Sequence, residues 1–270
     1  MKVVKRCAFI ILNLVFLVSC ATNQIATKES DSKLFKIVKN NKVQDYAWVD
    51  LAAEYDGMTI QVYNTALNQL DDRINSTDSA LFNSKRKIDK TSKKNSKTAI
   101  VVDLDETIIS SIELQKQFHA NGKFNDDMLV NWMMQSRSSA ISGALEFLQK
   151  AAKKGVTIFY VSNRRRTLEM ATRLNLRNLG FPLLDDVDTV LMRYEQKDWS
   201  SDKTSRWLFI EENYRIIMQF GDSLNDFIYA KKMSSAENDQ AVKNYREYWG
   251  DKWFLLPNPL YGHWEKMLEK

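Results

Sequence analysis

Between residues 46 and 74 the apolar positions recur at helical spacing. Ile60, Tyr63, Leu67, Leu70 and Ile74 form one stripe, and Trp48, Leu51 and Tyr55 form another ahead of Gly57; this is the pattern of helix burying one face. From Thr98 the period changes. Residues 98–102 are a short β-branched run that ends in acids. Residues 142–154 read as an amphipathic helix closed by Gly155, with Lys153 and Lys154 suited to its C-terminal dipole. Residues 156–161 read as a second strand and 167–179 as a second helix, closed by Gly180. A strand over 189–192, a helix over 203–212, a strand over 216–220 and a fifth strand over 253–256 follow. Strands alternating with helices predict an α/β fold on a parallel sheet, with ligands at the carboxyl ends of the strands. Residues 110–140 break the alternation. They are rich in Phe118, Phe124, Met128, Trp132 and Met133 and read as a small inserted cap.

The N-terminus reads as an address. Lys2, Lys5 and Arg6 precede an apolar run from Ala8 to Val18 that only Asn13 interrupts. Such a run is too short to span a bilayer, which takes about 20 residues, and it fits a signal peptide over residues 1–19. It ends in Leu17-Val18-Ser19-Cys20, which resembles the bacterial lipobox, whose cysteine is lipidated and becomes the mature N-terminus. A plain signal peptide with an incidental cysteine is the alternative. Ala21 after the cysteine resembles outer-membrane sorting. Residues 20–42 are polar and read as a lipidated tether. Residues 43–97 combine the helical segment with a basic stretch, in which residues 85–97 hold seven Lys or Arg against Asp89. No aromatic residue interleaves these cations, so the stretch reads as a solvated linker rather than an anion-binding surface. The core is expected over 98–266, with the cap inside it.

Composition narrows the chemistry. The 270 residues are 44% hydrophobic and 27% charged, an ordinary globular balance with enough chain for a sizeable core. Two Cys and two His leave no disulfide scaffold and no His-rich zinc site. Loss of residues 1–19 would lower the net charge from +5 to +2. The nominal isoelectric point near 9.0 therefore does not mark a nucleic-acid partner. Chemistry is left to carboxylates.

Four constellations follow the expected strands. The first is Asp103-Leu104-Asp105-Glu106-Thr107. In extended chain Asp103, Asp105 and Thr107 share a face while Leu104 points to the core. Two carboxylates about 4 Å apart repel by roughly 4 kcal/mol at an effective dielectric near 20. That repulsion suits a division of labour, one acid kept charged as nucleophile and the other carrying a proton. The second is Ser162-Asn163-Arg164, a hydroxyl and an amide able to donate to a phosphate oxygen. The third is Lys203, which on its own reads as an ordinary helix-start lysine. The fourth is Gly221-Asp222-Ser223-Leu224-Asn225-Asp226. A helix beginning there would set Asp222 and Asp226 on one face, as hard oxygen ligands suited to Mg²⁺. Four acids around a phosphate need cations, and Lys203 and a divalent ion supply them.

Asp-x-Asp-x-Thr, then Ser, then Lys, then Gly-Asp-x-x-x-Asp, in that order, resembles the haloacid dehalogenase superfamily. The second acid, Asp105, resembles its phosphatase branch. The lipobox, the preceding helical segment, Ser162-Asn163-Arg164 and the terminal Leu256-Pro257-Asn258-Pro259-Leu260-Tyr261-Gly262-His263-Trp264 resemble class C acid phosphatases of the lipoprotein e family. The resemblance covers about residues 45 to 266. It implies a Rossmann-like core with a small, mostly helical second domain, Mg²⁺ dependence, and hydrolysis of phosphomonoesters including nucleoside 5′-monophosphates.

The resemblance also assigns roles. Asp103 would attack phosphorus and Asp105 would act as general acid and then general base. Thr107, Ser162, Asn163 and Lys203 would hold the phosphate, and Mg²⁺ would sit on Asp103, the Asp105 backbone carbonyl, Asp222 and Asp226. An aromatic pair stacks on the base in that family. Tyr261 fits one member, while the other position falls on Leu129, with Trp132 three residues further on. The expected partners are a small phosphomonoester, the outer membrane through the lipid on Cys20, and a second copy of the chain in a homodimer. Two rival readings are a broad phosphomonoesterase without nucleotide preference and a non-catalytic surface-binding lipoprotein on a phosphatase-like core.

Overall fold

The computed structural model describes residues 46–82, 84, 97–121, 125–230 and 232–267. The expected signal peptide, Cys20, the tether and nearly all of the basic stretch lie outside the described residues. The chain divides into a unit of residues 1–47 and a compact unit of residues 48–270; the fold below is that of the second. No helix among the described residues is long and apolar enough to cross a membrane.

Five strands form one parallel sheet: β1 (Thr98–Val102), β4 (Thr157–Arg165), β5 (Val190–Arg193), β6 (Arg215–Gly221) and β7 (Trp253–Leu255). Their spatial order is β5-β4-β1-β6-β7, with β1 central between β4 and β6. The sequence order reverses beside β1, which makes its carboxyl end the place for a ligand. Successive residues of β1 serve opposite faces: Ile100 and Val102 join one core cluster, Ala99 and Val101 the other. Five of the expected strands are therefore present. β4 is longer than its apolar run, because it continues through Ser162, Asn163 and Arg164 to Arg165.

The helical segment becomes α1 (Tyr46–Leu51) and α2 (Ala53–Asn75). Tyr63, Ala66 and Leu70 of α2 are buried in the larger cluster. The Tyr63 ring stacks on Phe220 of β6, with centroids 5.5 Å apart. Burial of each such side chain is worth about 1.5–3 kcal/mol, so α2 is part of the core. The stripe is rotated from expectation: Ile60 is exposed, and Arg73 is buried, donating through Nε to the Ile217 carbonyl at 3.2 Å.

α5 (Ala144–Lys153) and α6 (Glu169–Leu179) bury Phe147, Leu148 and Leu176 in the same cluster. Gly180 ends α6 at φ +84, the left-handed stop its sequence position predicts. α7 (Thr204–Asn213) packs Trp207 and Ile210 on the other face. The cap contains α3 (Ile112–Asn121) and α4 (Asp126–Met134), flanked by the antiparallel pair β2 (Ile109–Ser110) and β3 (Ser139–Ala140). Its own small cluster is Leu114, Phe118 and Trp132. An unpredicted helix, α8 (Ser235–Asn244), begins at a capping box of Ser234 and Glu237.

Candidate active site

The carboxyl ends of β1, β4 and β6 converge on one group of side chains. Asp103 leaves β1 with its N–H donated to the Phe220 carbonyl at 3.0 Å. The chain then folds back instead of staying extended: the amides of Thr107, Ile108 and Ile109 all donate to the Leu104 carbonyl, at 3.3, 3.0 and 3.0 Å. Glu106 takes φ +57 to allow this. Leu104 is buried, as its position predicts. Thr107 does not share an open face with Asp103 and Asp105. It is fully buried, with its hydroxyl 3.5 Å from Asp103 Oδ2 and its carbonyl accepting from the Tyr63 hydroxyl at 2.7 Å. The tight turn overrides the two-residue alternation.

Lys203 immediately precedes α7 and is buried. Its Nζ donates to Asp103 Oδ1 and, at 2.6 Å, to Asp226 Oδ1. The other oxygen of Asp226 accepts from the Ser223 amide at 3.0 Å. Asp222 and Asp226 are not on an α-helix. A single 3₁₀ turn, Leu224–Asp226, carries Asp226, capped by Ser223. Gly221 makes the arrangement possible: a Cβ there would lie 2.2 Å from Asp226 Cβ. Asp222 Oδ2 accepts from Asn258 Nδ2 at 2.6 Å.

One oxygen from each of Asp103, Asp222 and Asp226 falls within 4.8 Å of the others. Two of these three acids share one ammonium, and the third, Asp222, has none. Burial pushes the Asp103 carboxyl up to about 7, against the pull of Lys203 and with the repulsion of Asp226 and Asp105. Burial, with Asp226 and Asp103 adding to it, holds Asp222 well above the usual carboxylate range. Burial opposes the charge on Lys203, but Asp103 and Asp226 outweigh it and raise that group. Clustered hard oxygen donors with negative charge in excess are the donor set a divalent cation takes. The carboxylate of Asp105 is outside this group.

Asp105 is held by Arg164 at the end of β4. Nε lies 2.9 Å from Oδ2 and Nη2 lies 2.6 Å from Oδ1, a two-pronged grip that fixes both oxygens. The Ser162 hydroxyl oxygen accepts from the Arg164 amide at 3.0 Å. The carboxamide of Asn163 is used by the scaffold, accepting from Arg206 Nη2 at 3.0 Å and donating to the Ser201 carbonyl at 3.2 Å. Sequence reasoning missed Arg206. It is fully buried and also donates to the carbonyls of Ser162 and Ser200, at 2.6 and 2.9 Å. Burial lowers it to about 10. Its signal was available, as a charged residue on the α7 face that holds Trp207 and Ile210.

These groups floor a cleft of about 850 Å³ whose opposite wall is the cap, with Phe118, Leu129 and Met133 facing it. Asp103, Asp105, Ser162, Asn163, Lys203, Asp222 and Asp226 all line it. Thr107 and Trp132 do not. Trp132 is consumed by the cap's own core beside Leu114 and Phe118, which corrects its assignment as a stacking ring. Tyr261 does line the cleft, and its hydroxyl donates to Glu106. Burial pushes the Glu106 carboxyl up to about 7, with Asp105 adding repulsion and the bonds from Tyr261 and Ser111 opposing it.

A family model described as HAD superfamily, subfamily IIIB (acid phosphatase) matches residues 12–264. Two solved structures of the class C acid phosphatase from Bacillus anthracis are similar. One, with tungstate bound, is 28% identical with a TM-score of 0.73, and the other is 29% identical with a TM-score of 0.70. Each match covers 84% of this chain and 88% of the other. Paired aspartates after β1, a buried lysine and an acidic turn after β6 thus stand on a shared fold, and the chain belongs to the subfamily IIIB acid phosphatases of the HAD superfamily, enzymes that hydrolyse phosphomonoesters.

Proposed function

We propose that the chain is a Mg²⁺-dependent phosphomonoesterase that works through an aspartyl-phosphate on Asp103. The observation that carries this reading is the shared grip of Lys203 on Asp103 and Asp226, with Asp222 within 4.8 Å. Lys203 fixes one oxygen of Asp103 and leaves the other to attack phosphorus in line with the leaving oxygen. Asp105, aimed by Arg164, protonates the leaving alcohol and then takes a proton from the water that cleaves the acyl-phosphate. The Ser162 hydroxyl donates to a phosphate oxygen, and the Lys203 ammonium offsets the charge brought by the dianion. Asp103, Asp222 and Asp226, with the Asp105 backbone carbonyl, would hold Mg²⁺, which supplies positive charge opposite the phosphate oxygens. Thr107, being buried beneath Asp103, supports the nucleophile instead of touching phosphate.

Nucleoside 5′-monophosphates belong among the substrates in this reading, with Tyr261 as an aromatic face for the base and Leu129 giving an aliphatic one. Export through residues 1–19 and lipidation of Cys20 would place the enzyme on the outer membrane. The test is an assay of the purified full chain on an aryl phosphate and on adenosine monophosphate. Activity should vanish with a chelator and return with Mg²⁺. Undiminished turnover after chelation would overturn the metal assignment. No turnover of either substrate under any cation would favour the non-catalytic reading.

A further inference from the structure

Arg165 and Arg193 stand apart from the machinery just described. They are register partners at the carboxyl ends of the neighbouring strands β4 and β5, and both line the catalytic cleft. Arg165 is exposed and Arg193 half-buried; like charges at adjacent register positions raise the local positive potential, and no acid among the described residues is paired with either side chain. The Arg165 side chain has no hydrogen-bond or ion-pair partner, and the Nε of Arg193 is buried without one. Asp126 and Glu265 also line the cleft but pair with neither. The other cations of the cleft are committed, Lys203 to Asp103 and Asp226 and Arg164 to Asp105. Among the described residues of the cleft, positive charge is thus left over at Arg165 and Arg193.

The backbone around Arg193 is built to hold that charge in place. Tyr194 sits at φ +65, a left-handed conformation that a residue with a side chain rarely adopts. It is fixed there by its amide, which donates to the Trp199 carbonyl at 2.7 Å. In this position its ring lies under the Arg193 guanidinium, 4.4 Å from centre to centre, and its hydroxyl accepts from Arg193 Nη2. Strain retained beside a cleft is a feature of binding sites. Cation–π stacking also leaves the remaining donors of an arginine in plane and free for an anion.

We propose that Arg165 and Arg193 form a subsite for a second phosphate group carried on the leaving-group side of the substrate. Arg165 lies three strand residues beyond Ser162, roughly 10 Å along β4, so the second anion sits away from the reacting phosphorus and on the same molecule. This inference rests on the phosphomonoesterase reading and narrows it to substrates bearing two phosphates. A nucleoside bisphosphate and a sugar bisphosphate share that chemistry.

The test compares kcat/KM for adenosine bisphosphate against adenosine monophosphate, and for a hexose bisphosphate against the hexose monophosphate, with an aryl phosphate as reference. The bisphosphate of at least one pair should be favoured by about tenfold or more, chiefly through KM, and the pair that shows it identifies the carrier. In the Arg165→Gln/Arg193→Gln double variant that preference should collapse toward unity, while the Lys replacements restore part of it. The preference should also shrink as salt is raised. Equal efficiency within both pairs overturns the subsite, as does a double variant that lowers aryl phosphate turnover as much as bisphosphate turnover. Failure to hydrolyse the aryl phosphate with Mg²⁺ present is a different result, because it removes the underlying phosphatase reading.

Discussion

Arg164 grips both carboxylate oxygens of Asp105, at 2.9 Å through Nε and 2.6 Å through Nη2, while its own Nη1 is braced on the Thr172 hydroxyl at 3.2 Å. The acid proposed to exchange protons with the leaving group is therefore aimed by a residue on the next strand. Its partner Asp103 is held instead by Lys203, the residue just before α7. Two aspartates two residues apart are given different cations, an arrangement that suits the two chemical roles proposed for one motif.

Asp105→Asn should lower kcat by about two to four powers of ten on an alkyl phosphate, the range of general acid–base catalysis. The loss should be smaller on an aryl phosphate, whose leaving group needs less protonation. Arg164→Lys keeps the charge but loses the two-pronged geometry, and should cost about tenfold in kcat/KM. Steady-state kinetics on the two substrate types checks both. An equal loss on alkyl and aryl phosphates for Asp105→Asn would remove the general-acid role.

Asp103→Asn should reduce turnover by roughly a thousandfold or more, because an amide cannot form the acyl-phosphate. Rapid acid quench of the unchanged enzyme should trap phosphate on the chain, and the variant should trap none. Its circular dichroism should match the parent, since Lys203 retains its bond to Asp226 at 2.6 Å.

Burial raises Asp103 to about 7 and holds Asp222 well above the usual carboxylate range. Unfolded, both acids titrate near 4. Between those values the native chain binds more protons than the unfolded one, so stability falls as pH rises. The metal-free enzyme should accordingly melt at its highest temperature near pH 4–5 on this account and lose stability through pH 7. Mg²⁺ binds the deprotonated carboxylates, so adding it should flatten or reverse that slope. Thermal melts in chelator and in Mg²⁺ across this range are the measurement, and parallel slopes would contradict the cation assignment.

Much of this was legible in the sequence, for identifiable reasons. The central strands β1, β4 and β6 carry apolar runs buried on both faces, and Gly180 marks a helix end that geometry then requires. Asp103, Asp105, Lys203, Asp222 and Asp226 were found because each follows or precedes a strand or helix boundary. What periodicity could not give was the path between boundaries. The backward turn at Glu106 buries Thr107, and a 3₁₀ turn, in place of a helix, carries Asp226. Trp132 fell on a helix whose apolar face serves the cap's interior, and a sequence does not say which interior an apolar face will find. Asn258 and Arg206 act through contacts with residues 36 and 43 positions away respectively, which no local pattern reports.

Gly221→Ala tests whether close packing behind the acids sets their geometry. The added Cβ would meet Asp226 Cβ at 2.2 Å and its carboxyl carbon at 2.5 Å. Atoms cannot share that space, so either β6 or the Leu224–Asp226 turn must move. The turn is the softer of the two, because β6 is paired on both sides. Movement of the turn draws Asp226 away from Lys203 and opens the group of three acids. Overpacking of this kind costs about 1–3 kcal/mol, and the melting temperature should drop by roughly 2–4 °C for each of those. The functional effect should be larger than the structural one: the Mg²⁺ concentration for half-maximal activity should rise by about tenfold or more, with KM for substrate at saturating Mg²⁺ changing less. A variant that loses stability but keeps its Mg²⁺ dependence would show that Asp226 positions nothing the cation needs.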